Sequence, residues 1–163
     1  MRIRTQQKII TSARALDAFA REYVRNHIVR PRSIRGEGNR KHAMVTALFG
    51  DMGSGKTSFT QAVAKTLGIK STVISPTFII ERVYKIEKPP FSHFIHIDCY
   101  RLSDNAELKA LGWGDMVRNK SNIIFIEWAE RVENILPEDA TRVHLEFVDE
   151  HTRKIKIFNS NGS

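Results

Sequence analysis

The run Gly50-Asp51-Met52-Gly53-Ser54-Gly55-Lys56-Thr57 leaves few folds open to this chain of 163 residues. It satisfies G-x-x-x-x-G-K-[ST], and each fixed position answers to the binding of a polyphosphate. Glycines at 50, 53 and 55 let the backbone curl until its N–H groups face inward as a nest, while the helix that follows presents its positive N-terminus. Lys56 reaches the β- and γ-phosphates, and Thr57 offers a hydroxyl to the Mg²⁺ ion that bridges them. The motif requires an apolar strand before it and an amphipathic helix after it. Ala43 to Phe49 and about Lys56 to Leu67, stopped by Gly68, meet both requirements, which a chance glycine turn does not need.

The rest of the chain reads as the continuation of such a domain. Leu16, Phe19, Ala20, Tyr23 and Val24 recur at helical spacing behind a Ser12 cap, predicting a helix over 12–27 that covers one sheet face. Strands are expected at Thr72 to Ile74, Phe78 to Lys85, Phe94 to Asp98, Ile123 to Glu127, Arg142 to Val148 and Lys154 to Phe158, the last two antiparallel. Short helices are expected at Asp104 to Leu111 and Ala129 to Leu136. The fold class is α/β: a single P-loop NTPase domain over residues 1–163, with a central mixed, mainly parallel sheet flanked by helices. Residues 1–41 are expected to be a basic helix and loop, and 159–163 a disordered tail.

Composition narrows the setting. Cys99 is the one cysteine, so a disulfide framework is excluded and a reducing cytoplasm fits best. No apolar run is long enough to cross a bilayer and none follows the basic start as a secretory signal demands, so no membrane role is expected. The net charge of +8 is carried by residues 1–41, with eleven Lys or Arg against Asp17, Glu22 and Glu37; the remainder is neutral. Arg30 to Lys41 holds five of those basic residues with Pro31, Gly36 and Gly38, which reads as an exposed loop. Such a field favours encounter with RNA or an acidic surface, although a solvated basic face explains it as well.

A phosphate loop needs a carboxylate at the end of a neighbouring strand. Two apolar runs end in one: Ile123-Ile-Phe-Ile-Glu127 and Phe94-Ile-His-Ile-Asp98. On parallel strands both acids emerge where ligands of α/β sheets collect, one for metal and one to orient water; pairing with Arg101 or Arg131 is the structural alternative. Asn119-Lys-Ser-Asn122 lacks the final carboxylate that reads guanine in N-K-x-D, so adenine is favoured. His93 and His96 form no ligand cluster and are expected in packing or at the surface, and Trp128 by spacing alone is a half-buried aromatic at a strand end.

Six motifs in order resemble the TsaE (YjeE) family, the ATPases of tRNA threonylcarbamoyladenosine biosynthesis. They are Gly50 to Phe59, Ser75-Pro-Thr-Phe78, His96-Ile-Asp-Cys-Tyr-Arg-Leu102, Glu107 to Trp113, Ile126-Glu-Trp-Ala-Glu130, and Leu136-Pro137, spanning about 43–148. The resemblance implies that Gly50, Asp51, Met52, Gly53, Ser54, Gly55, Lys56, Thr57 and Ser58 hold ATP, joined by Thr77 and Trp128. It implies that Thr57 and Glu127 hold Mg²⁺, and that Asp98 and Lys56 serve hydrolysis. Partners implied are a threonylcarbamoyltransferase subunit (TsaD-like), its dimerising partner (TsaB-like), and through them tRNA modified at adenosine 37. Ser54 stands where the family commonly has alanine, Cys99 where it has leucine, and the Arg30 to Lys41 loop is longer than usual. Two other functions share the loop: a small-molecule kinase, though no compact arginine-bearing lid is apparent, and a nucleotide-gated adaptor without hydrolysis.

Overall fold

A computed structural model describes residues 3–29 and 40–160. Seven strands form in chain order: β1 (Ile3–Ile10), β2 (Met44–Phe49), β3 (Glu81–Lys85), β4 (His93–Asp98), β5 (Asn122–Glu127), β6 (Thr141–Phe147) and β7 (Arg153–Ser160). They make one sheet in the order β1-β7-β6-β2-β5-β4-β3. The central four, β6, β2, β5 and β4, are mutually parallel, while β7, β1 and β3 join their neighbours antiparallel, so five of seven strands run one way. The mixed, mainly parallel sheet expected from the sequence is therefore present.

Helices cover both faces, which is why β5 is buried along its whole length and apolar between its end residues Asn122 and Glu127. On one face α1 (Ala13–Tyr23), continued by a π-helical turn at Val24–Val29, packs with α2 (Lys56–Thr66) over Leu48, Phe94, Ile123 and Phe125. Phe59 of α2 is the centre of that layer, its ring centroid 5.2 Å from Tyr23, 5.6 Å from Phe19 and 6.2 Å from Phe125. The Tyr23 hydroxyl meets Thr46 Oγ1 at 2.8 Å, so the buried phenol is satisfied. On the other face α3 (Asn105–Ala110) and α4 (Trp113–Arg118) cover Val45, Ala47, Ile95, Ile97, Ile124 and Ile126. Ser12 caps α1 as expected, accepting from Ala15 N at 3.1 Å, and α2 fills the expected span behind the glycine loop.

Several expectations are corrected. The basic start is not helix: residues 3–10 are strand β1, paired residue for residue with β7. The expected tail is also cut back, because Asn159 and Ser160 complete β7 opposite Arg4 and Ile3; 161–163 lie outside the described residues. Thr72 to Ile74 is irregular, and β3 starts only at Glu81 because Ile79 N and Ile80 N both close a turn on the Pro76 carbonyl. Ala129 to Leu136 holds two short 3-10 turns, Ala129–Arg131 and Glu133–Ile135, in place of a helix. Helix α4 was not expected; Gly112, at φ 90°, separates it from α3. Of the predicted Arg30 to Lys41 loop, only Arg40 and Lys41 lie among the described residues.

Candidate functional site

The loop between β2 and α2 has the backbone that its glycines were read to require. Gly50, Gly53 and Gly55 all take positive φ, at 139°, 76° and 100°. Gly50 is constrained twice, because a Cβ there would stand 2.2 Å from the Leu145 carbonyl oxygen of β6. The Lys56 ammonium donates to the carbonyls of Gly50 at 2.5 Å and Asp51 at 2.8 Å, and lies 4.0 Å over the Trp128 ring. Burial pushes its pKa below the ordinary 10.5, while Glu127, Glu130, Asp98 and Asp51 pull it back up. Asp51, Met52, Gly53 and Ser58 are exposed around this loop, and Ser54 is buried beneath it.

The acids arrive from the neighbouring strands. In the parallel ladders Leu48 pairs with Glu127 and Glu127 with Asp98, so both carboxylates stand at the carboxyl edge of the sheet beside the loop. The Thr57 hydroxyl lies 2.9 Å from both Glu127 oxygens, and His96 Nε2 lies 2.7 Å from Glu127 Oε1. Asp98 is held by different groups: Thr77 Oγ1 donates to Oδ2 at 2.6 Å, Ser75 Oγ at 3.1 Å, and Tyr100 N to Oδ1 at 2.8 Å. The Ser75 to Ile80 loop is thus tied over the acid, with Ile80 at φ 68°, an uncommon conformation for a β-branched residue. Trp128 also takes positive φ, 57°, which turns its ring back over Lys56 and beside Tyr100 at 5.0 Å.

Of the predicted site residues, Met52, Gly53, Ser54, Gly55, Lys56, Thr57, Ser58, Thr77, Asp98, Glu127 and Trp128 line one cavity of about 670 Å³, while Gly50 and Asp51 are not part of its lining. That volume is in the range of small-molecule sites. Apolar lining comes from elements the sequence did not connect to the loop: Ile10 of β1, Leu16 of α1, and Leu145 and Ile155 of β6 and β7. Arg153 was also missed. It reaches across from β7, donating from Nε to Gly53 O at 3.2 Å and from Nη1 to Asp149 O at 2.6 Å. A contact spanning 100 residues leaves no local signal. His96 gave one signal, a strand face shared with Asp98; His93 instead meets Ser92 Oγ at 2.9 Å, away from the acids. Asn122 sits at the opposite end of β5 from Glu127, about 17 Å off at strand rise, with Nδ2 donating to Met116 O at 3.0 Å. It is no guanine reader for this cavity.

A family model described as "Threonylcarbamoyl adenosine biosynthesis protein TsaE" matches residues 11–155. The chain is 36% identical over 115 residues to the tRNA threonylcarbamoyladenosine biosynthesis protein TsaE of Haemophilus influenzae, covering 71% of this chain and 70% of that protein. To the protein of the same name from Aquifex aeolicus it is 37% identical over 120 residues, covering 72% and 79%. In structure it is similar to Bacillus subtilis YdiB, with a TM-score of 0.70 at 22% identity over 98% of this chain and 88% of that one, a likeness of fold.

Proposed function

We propose, from the premise that this chain belongs to the TsaE family and serves tRNA threonylcarbamoyladenosine biosynthesis, that it is the Mg-dependent ATPase of that process. The observation that carries the proposal is the Thr57 hydroxyl set on the Glu127 carboxylate, with Asp98 in register beside it. The phosphates would lie in the nest from Gly50 to Ser58, with Lys56 on the β- and γ-phosphates. The base would take the apolar end of the cavity at Ile10 and Leu16, where an adenine face can be buried.

The donor set fits Mg²⁺: a hydroxyl and carboxylates are hard oxygen ligands, and no group of three or more His, Cys, Asp or Glu among the described residues forms a competing site. Thr57 has one proton to give and gives it to Glu127, which keeps its oxygen lone pairs for a cation. Thr57 and Glu127 would hold the ion, which when bound neutralises charge on the terminal phosphates. Asp98 orients the attacking water and accepts its proton; Thr77, Ser75 and the Tyr100 amide fix the rotamer from which it does so. Trp128 covers the Lys56 ammonium.

Partners are proposed from the family: a TsaD-like threonylcarbamoyltransferase subunit and a TsaB-like dimerising partner, with tRNA met through them. Among the described residues no helix is long and apolar enough to cross a membrane, and a cytoplasmic place is proposed. Phosphate release by the purified chain is expected to be slow alone, to rise with both partners and tRNA, and to vanish in Lys56→Ala. Transfer of the γ-phosphate to a metabolite would make it a kinase, and a full complex that never releases phosphate would make it an adaptor.

A further inference from the structure

The Glu127 carboxylate has a second support that its strand does not supply. His96 is on β4, directly across from Phe125 and diagonal to Glu127, and it is wholly buried. Its Nε2 lies 2.7 Å from Glu127 Oε1, so with the proton on Nε2 the imidazole donates to the carboxylate. Its Nδ1 is buried with no hydrogen-bond partner among the described residues. Leaving such an atom unpaired costs stability. An apolar ring would avoid that cost, and the same strand face carries one two residues earlier, in buried Phe94. Packing alone therefore does not account for an imidazole at this position, whereas the single bond it makes does.

We propose that His96 is a positioning residue that fixes the Glu127 carboxylate for the metal. This rests on the reading above, in which Glu127 and Thr57 hold Mg²⁺. Glutamate has three rotatable side-chain bonds, and Thr57 lies equally close to both oxygens, so Thr57 does not choose between them. His96 bonds Oε1 only, which sets the rotation of the carboxylate and leaves Oε2 as the oxygen free of the imidazole. Because His96 is behind the carboxylate and fully buried, it acts through Glu127 and touches neither ion nor nucleotide. Removing such an outer partner typically weakens metal affinity about 10–100-fold.

The test is the Mg²⁺ concentration that half-saturates the tightening of ATP binding, read by calorimetry, in wild type, His96→Gln, His96→Asn and His96→Phe. The glutamine amide nitrogen reaches the place of imidazole Nε2; the asparagine amide is too short. His96→Gln is expected to stay near wild type, and His96→Asn and His96→Phe to need about 10–100-fold more Mg²⁺, with affinity for ATP in chelator unchanged in all. The Gln and Asn variants are both polar and close in size, so their contrast stands even if the Phe variant does not fold. Equal Mg²⁺ midpoints for Gln, Asn and wild type would overturn the proposal, as would an equal loss of affinity in chelator. A wild type whose ATP binding ignores Mg²⁺ would sink the functional reading and this inference together; a Mg-dependent wild type with indifferent variants would sink the inference alone.

Discussion

Asp98 and Glu127 end neighbouring strands in register, yet their hydrogen-bond partners divide the work between them. Glu127 faces the Thr57 hydroxyl and the His96 imidazole, which suits the metal-bearing role proposed for it. Asp98 faces the Ser75 and Thr77 hydroxyls, the setting of a group whose rotamer answers to a loop. Asp98→Ala is accordingly expected to bind Mg-ATP within a few-fold of wild type while single-turnover hydrolysis falls by about 10²–10⁴; unchanged hydrolysis would remove Asp98 from the reaction. Both acids were legible in the sequence because each closes an apolar run, and Lys56 and Thr57 because the motif fixes them locally. The His96 and Arg153 contacts were not, since each depends on which strand lies beside which, and no residue spacing encodes strand order.

Among the elements, the strand–loop–helix unit was fully legible because strand, turn and helix each carry their own pattern. It also separates two kinds of glycine. At Gly53 nothing lies within 4 Å of an added Cβ and only the positive φ opposes it, whereas at Gly50 the Leu145 carbonyl stands in the way as well. Gly50→Ala is expected to lower stability well beyond Gly53→Ala, by urea midpoint, with the second costing about 1–2 kcal/mol; equal losses would mean that β6 can yield. Phe59→Ala, emptying the layer between α2 and the sheet, is expected to cost about 3–5 kcal/mol by the same measurement. On the β6–β7 hairpin, Lys154 and Lys156 hold Glu146 well below its ordinary 4.5, at about 2. A depressed carboxylate contributes its stability above the ordinary value and loses it as pH falls through the folded one. The stability difference between wild type and Glu146→Gln should thus shrink from pH 4.5 to pH 2 and stay flat above. Strand β1 escaped the sequence because Ile3-Arg-Thr-Gln-Gln-Lys-Ile-Ile10 lacks alternation; its strand state is set by the partner β7, which closes the sheet far away in the chain. The turns after Trp128 escaped because helix-forming composition there is overridden by a backbone bent to positive φ.

At the scale of the molecule, the topology gathers β1, β6 and β7 onto the side of β2 away from the acids, and the cavity needs both halves. The glycine loop and the two acids come from β2, β4 and β5, and the apolar lining at Ile10, Leu145 and Ile155 from β1, β6 and β7, which is why the motif alone named the first and was silent on the second. Charge is divided too, since residues 1–41 carry the whole excess of +8. If that segment meets tRNA, neutralising Arg30, Arg32, Arg35, Arg40 and Lys41 is expected to flatten the log–log salt dependence of association by roughly 0.7–0.9 for each phosphate that is no longer neutralised. An unchanged slope would leave the five residues without a part in that association.

In the function proposed here, the loop from Gly50 to Thr57 holds the phosphates of ATP together with a magnesium ion on Thr57 and Glu127. Calorimetric titration of the wild type and of Lys56→Ala with ATP, each in Mg²⁺ and in chelator, tests it most directly. One site is expected, tightening with Mg²⁺ and weakening by roughly 10–100-fold or more when the ammonium is removed, the worth of a charge-assisted bond to phosphate. Binding of equal strength in all four titrations would contradict it.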